Sequence, residues 1–147
     1  MKRILLASII ILVVCFLFFK EDEIRIRVIA NSDSDEDISK KEEIVNFLVY
    51  NILKDKILDD KYLTENYLWI EQELKKEFKN VEVKYVDHTF YNKTYNGSVL
   101  DNGTYKTLLI LVGEAKGSNW WSSIYDGKIL FGSEEVEYKW FLDRNGE

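Results

Sequence analysis

"EIRIRVIANSDSDEDISKKEEIVNFLVYNIL", Glu23 to Leu53, changes its hydrophobic period partway along, and that change decides the fold. Ile24, Ile26 and Val28 alternate with Arg25 and Arg27, the two-residue period of a half-buried strand. "NSDSDED" then interrupts the alternation with residues that cap helices: Asn31, Ser32, Asp33 and Ser34 are all capping types. Asp33, Asp35 and Asp37 place carboxylates at the helix start, where the backbone dipole is positive. From Ile38 onward Ile44, Leu48 and Ile52 interleave with Val45, Val49 and Leu53, which makes one wide apolar helix face. A strand runs directly into a helix.

Downstream, Leu63, Tyr67, Ile70, Leu74 and Phe78 recur at three- and four-residue steps and predict a second helix that stops at "KN". "VEVKYVDHTF" alternates as a strand, with Val81, Val83 and Tyr85 on one face. After a polar, turn-rich stretch comes "TYKTLLILV", apolar on both faces from Leu108 to Val112, as in a strand central to a sheet. "KILF" and "VEYKWFL" read as two further strands joined by "GSEE". Two helices on one face of a mixed sheet would bury both apolar stripes, so the expected class is α+β, or a small α/β sandwich.

Residues 1–20 are a different material. Lys2 and Arg3 precede an uncharged apolar run, Ile4 to Phe19, and acids follow from Glu21. Basic residues before the run and acids after it favour an exported remainder. The run is near the short limit for spanning a bilayer, no small-x-small cleavage site follows it, and Val14 stands where a lipoprotein signal needs a small residue before Cys15. The expectation is a retained membrane anchor over 1–20 and a single extracytoplasmic domain over 21–147.

Composition narrows the partners. Residues 1–20 hold three of the 20 basic and none of the 26 acidic residues, leaving 17 basic against 26 acidic, a net charge of −9. A general positive field for nucleic acid or anionic lipid is therefore absent from the domain. The single cysteine lies in the apolar run, so the domain has no internal disulfide and relies on packing.

Catalytic constellations are sparse. His88 is the only histidine, which excludes a multi-histidine metal centre. Ser118, Ser122 and Ser123 lack the G-x-S-x-G context that raises a nucleophile. A calcium loop begun at Asp33 would need Gly at Ile38 and Glu at Ile44. Neither a metal nor another cofactor is expected. The rival readings are a cell-envelope hydrolase using Asp33 or Asp35 with His88, and a structural binding module of the envelope.

"GEAKGSNWW", Gly113 to Trp121, reads as a loop carrying two adjacent tryptophans. Neighbours in extended chain point to opposite sides, so one ring can fill the core while the other serves as a contact or covers the sheet edge. The favoured division is core plus contact.

Here the residues carry a resemblance. "RIRVIANSDSDEDISKKEEIVNFL", Arg25 to Leu48, resembles the opening signature of the stage II sporulation protein R family, a strand running into an Ala-Asn-Ser-Asp-Ser turn and a helix. The family's second block is similar to Phe90, Lys93, Tyr95, Gly103, Tyr105, Leu108, Ile110, Gly113, Gly117, Asn119, Trp120 and Trp121, in that order. One departure stands out: where the family has a cysteine after the tryptophans, this chain has Ser122, and "SIYDGKILFG" contains neither Cys nor Pro. The disulfide the resemblance implies for relatives is absent here.

The resemblance implies a signal, not an enzyme, made in the forespore of an endospore-forming bacterium and exported into the space between the septal membranes. Its implied partner is a membrane-embedded aspartic protease of the mother cell, which then processes the sigma-E precursor. Strand carboxyl ends often carry sites in α/β proteins, and if the Trp loop leaves a strand parallel to the first, both motifs share one edge. Asn31, Ser32, Asp33, Asp35, Gly117, Asn119, Trp120 and Trp121 are then the expected partner-binding residues.

Overall fold

The computed structural model of the protein describes residues 23–90, 94–95, 98–99 and 103–130. The apolar run over 4–19 and the expected strand "VEYKWFL" lie outside these residues. Among the described residues, no helix is long and apolar enough to cross a membrane.

The first strand, β1 (Ile24–Ile29), and the helix after it, α1 (Asp35–Phe47), form where the period changes. Ser34 is the N-cap: its backbone is extended, and its Oγ accepts from the Asp37 amide at 3.2 Å. Beyond Phe47 the helix widens into a π-helical segment, Leu48–Leu53. A repeat of four residues overshoots a 3.6-residue turn by about 40°, and the wider winding turns the paired apolar residues back toward the sheet. Leu48, Val49, Ile52 and Leu53 are all buried. The second helix, α2 (Asp60–Glu77), is capped by Asp59, whose carboxylate accepts from the Tyr62 amide at 2.7 Å. Past its end Asn80 takes a left-handed conformation (φ 59°), the stop anticipated at "KN".

The remaining strands are β2 (Val81–Phe90), a two-residue hairpin of β3 (Thr94–Tyr95) and β4 (Ser98–Val99), then β5 (Gly103–Val112), β6 (Asn119–Tyr125) and β7 (Lys128–Leu130). The main sheet has the order β2-β5-β1-β6-β7. β1 and β5 are parallel and the other three pairings antiparallel, so the sheet is mixed. Ile24, Ile26 and Val28 share one face with Val81, Val83, Leu108, Ile110, Val112 and Ile124, and on that face they form a single core with the apolar stripes of both helices. The α+β class with two helices on one face is as expected.

Two local expectations are corrected. The tryptophans are not in a loop: they open β6, which pairs with the outer side of β1, Trp120 opposite Val28 and Trp121 opposite Arg27. The alternation of β1 does not leave both arginines in solvent either. Arg25 is only 3% exposed, because aromatic side chains of other strands close over the face that the helices leave open.

Candidate functional site

The parallel pairing of β1 with β5 brings both carboxyl ends to the same edge, where the chain leaves β1 at Ala30 and β5 at Gly113. The two exits are tied together by backbone bonds: the Ala30 amide donates to the Ser118 carbonyl (3.0 Å), the Gly117 amide to Ala30 (2.8 Å), and the Lys116 amide to Asn31 (3.1 Å). Asn31 completes the tie with its side chain. Its Oδ1 accepts from the Glu114 amide at 2.8 Å and its Nδ2 donates to Asp37 at 2.8 Å. Ser32 Oγ donates to the same Asp37 oxygen at 2.5 Å. Those donors, Ser32 first and then Asn31, hold the Asp37 carboxyl below its ordinary value. Buried Lys41 reaches across to Ser118 Oγ at 3.0 Å.

Glycine is required in this tie. A Cβ on Gly117 would lie 2.2 Å from the Ser32 carbonyl oxygen, so any side chain would push the two segments apart. Gly113 combines a left-handed backbone (φ 55°) with the same crowding against Asn31. The two motifs therefore share one edge, but Asn31, Ser32 and Gly117 face each other across it, while Asp33 and Asp35 are exposed at the start of α1.

The remaining motif residues divide across the sheet. Trp120 lies on the helix face and packs against the core. Asn119 and Trp121 point to the open face with Arg25 and Arg27 of β1. Asn119 Oδ1 accepts from both Nε and Nη2 of Arg27, at 3.0 and 2.8 Å. The third guanidinium nitrogen, Nη1, meets His88 Nε2. That contact requires a neutral imidazole with its proton on Nδ1. Burial and, after it, the Arg27 charge push the His88 pKa below its ordinary 6.5, which favours this form. Burial also lowers the Arg27 pKa.

Arg25 occupies the centre of this face. Its guanidinium carbon lies 3.7 Å from the Tyr105 ring centre, 4.6 Å from Phe90 and 5.4 Å from Trp121. These distances are in the range of cation–π attraction. Nε donates to Glu23 at 3.1 Å. Nη1 is buried and makes no hydrogen bond among the described residues.

Sequence reasoning passed over Arg25 and Arg27 as the solvated half of β1. Phe90 and Tyr105 entered only through the resemblance, although a pair of arginines two apart in a strand, with aromatics spaced to face them, is a legible signal. The hydrolase alternative finds no geometry: His88 is engaged by Arg27, whereas Asp33 and Asp35 stand in the turn and first residue of α1. Among the described residues, no three His, Cys, Asp or Glu side chains gather as a metal site. Ser122 is buried and donates to the Leu130 carbonyl at 2.6 Å, joining β6 to β7.

Comparison with known proteins agrees with the motif reading. The family model described as Stage II sporulation protein R matches residues 20–131. The stage II sporulation protein R of Bacillus subtilis (strain 168) is 30% identical over 117 residues, covering 71% of this chain and 52% of the relative. The chain thus spans about half the length of the curated relative it matches. No solved structure matches it.

Proposed function

The chain belongs to the stage II sporulation protein R family, and on that premise we propose that it is an exported signalling protein of sporulation. It is anchored by residues 1–20 with its domain on the forespore side of the intermembrane space. There it switches on a membrane-embedded aspartic protease across the septum, leading to processing of the sigma-E precursor. The observation that carries this reading is the extent of the family match, which runs from the end of the apolar segment through both motifs to β7.

The physical character of the domain supports a binding role rather than a catalytic one. It is acidic, its one histidine is held by Arg27, and Asn31 is spent on joining two strand exits. Such a domain can act by presenting a surface.

Complementation tests the proposal. The full chain is expressed in the forespore of a strain lacking its own family member, and sigma-E precursor processing is followed in the mother cell. Restored processing is the expected result. Export and accumulation without any processing would remove the signalling role. A reporter fused after Glu147 is expected to behave as exported, and a cytoplasmic signal would overturn the localisation.

A further inference from the structure

We propose that the open face of the sheet is a binding site for a carboxylate, an Asp or Glu side chain on an extended partner segment, with Arg25 as its centre. The inference rests on the signalling reading for the identity of the partner, but not for the chemistry of the site.

Arg25 is held in an unusual condition. Its side chain is 4% exposed, yet Nη1 has no acceptor among the described residues. Glu23, ion-paired at Nε, and the rings of Tyr105, Phe90 and Trp121 compensate its charge, but none of them gives Nη1 a directed acceptor, which an aromatic face does not replace. Nor do the hydroxyls beside it on the neighbouring strands supply one. Thr107, opposite Arg25 on β5, donates to the Tyr105 carbonyl at 2.8 Å, and Ser123, opposite it on β6, donates to Glu23 at 2.7 Å. Glu23 already receives Arg25 Nε, so it serves two donors.

Charge points the same way. Among the described residues this face carries two carboxylates, Glu23 and, on β2, the Glu82 that pairs with Lys84, while Arg27 is answered by the neutral Asn119 and His88 and stands 5.5 Å from the Phe90 ring centre. A positive centre is thus set in a domain whose net charge is −9. Tyr105 and Trp121 are only partly buried and form the outer wall over the cation. A partner that displaces one of these rings gives Nη1 its missing acceptor and keeps the second ring as an apolar contact. Guanidinium–carboxylate pairing, shielded from water, is the strong form of a hydrogen bond. An arginine flanked by Trp and Tyr has the composition of a binding hot spot.

The test uses the full chain in detergent micelles, with two probes: an acetylated, amidated pentapeptide Gly-Gly-Glu-Gly-Gly and its Gln counterpart. NMR follows the Arg25 Nε–H and Trp121 indole signals. The Glu peptide is expected to shift both saturably and to bind about tenfold or more tightly than the Gln peptide, and Arg25→Gln is expected to remove that preference. Equal binding of the two peptides, no saturable shift, or an undiminished preference in Arg25→Gln overturns the proposal. Should Arg25→Gln not fold, Arg25→Lys, which keeps a cation but lacks the Nη1 donor, carries the comparison with the same loss of preference expected, while Trp121→Phe, which keeps Arg25 and a ring, is expected to retain the preference. In sporulating cells Arg25→Lys is expected to accumulate normally and lower precursor processing by about tenfold; full processing refutes this face as the signalling surface. A chain that prefers the Glu peptide but whose unaltered form restores no processing supports the site and removes the signalling reading alone.

Discussion

Replacing each tryptophan of the pair by alanine separates the two faces of β6. Trp120 packs against the helix-side core, and its partner across the ladder is Val28, which is fully buried. Truncation there opens a cavity between sheet and helices; because the ring is only partly buried, the lower end of the usual range applies, about 3 kcal/mol. Trp121 lies on the open face, 5.4 Å from the Arg25 guanidinium. Its loss removes one of three rings around the cation and some apolar contact, about 1 kcal/mol. For a domain of this size each kcal/mol moves the melting temperature by roughly 4 °C. Trp120→Ala is therefore expected to melt about 12 °C lower and Trp121→Ala about 4 °C lower. Thermal unfolding of the purified chain reads the first quantity, and precursor processing in sporulating cells the second. Trp120→Ala should lose protein and signal together, and Trp121→Ala should lose signal at nearly normal protein levels. Equal destabilisation by the two changes would refute the division of the pair between core and open face, and full signalling by Trp121→Ala would refute its role as a contact.

Three further outcomes follow from particular contacts. Gly117→Ala places a Cβ 2.2 Å from the Ser32 carbonyl oxygen and must part the two strand exits; a stability loss of about 1–3 kcal/mol is expected in thermal unfolding, and an unchanged melting temperature would contradict the tie. Ser122→Cys exchanges the hydroxyl that donates to Leu130 for a weaker thiol donor, at about 1 kcal/mol, and no second thiol exists in 21–147 to pair with it. Its melting temperature should fall and be indifferent to reductant, so a monomeric gain abolished by reductant would count against it. His88, whose folded pKa is lowered, binds fewer protons folded than unfolded; its contribution is complete above the ordinary value of 6.5 and is lost as pH falls below it. Melting temperature should therefore drop on acidification from pH 7 to 5, and His88→Gln, which can still accept from Arg27, should flatten that drop.

The secondary structure was legible where one period dominated. Ile24, Ile26 and Val28 predict their burial because each faces the helices, and the alternation of β2 likewise gives Val81 and Val83. β6 was hidden because "SNWWSSIY" mixes polar and aromatic residues without clean alternation, and because its ladder partner, β1, lies 90 to 100 residues away. The π-helical turn was hidden for a related reason: apolar pairs spaced by four read as α-helix, and only the sheet beneath determines how the drift is corrected. Arg25 was misplaced by the rule that charge alternating with apolar residues faces water. That rule assumes nothing else covers the second face, and here aromatics contributed by β2, β5 and β6 do so.

The candidate site shows a different limit. Asn31, Ser32 and Gly117 were chosen as polar or small residues at a strand's carboxyl end, which are equally the properties needed to join two chain exits at close range. Their side chains and backbone are committed to each other: Asn31 uses its oxygen, its amide nitrogen and its carbonyl within the fold, and Gly117 fits only without a side chain. Such residues fix the edge but have little left to offer a partner. Asn119 is committed too, though to a different end, since it orients Arg27 on the open face. Of the eight residues expected to bind, Trp121 alone stands beside a buried donor that has no acceptor among the described residues. The signature thus reads as a joint that sets the position of β6 against β1. By fixing that pairing it places the Trp121 ring over a cation contributed by β1.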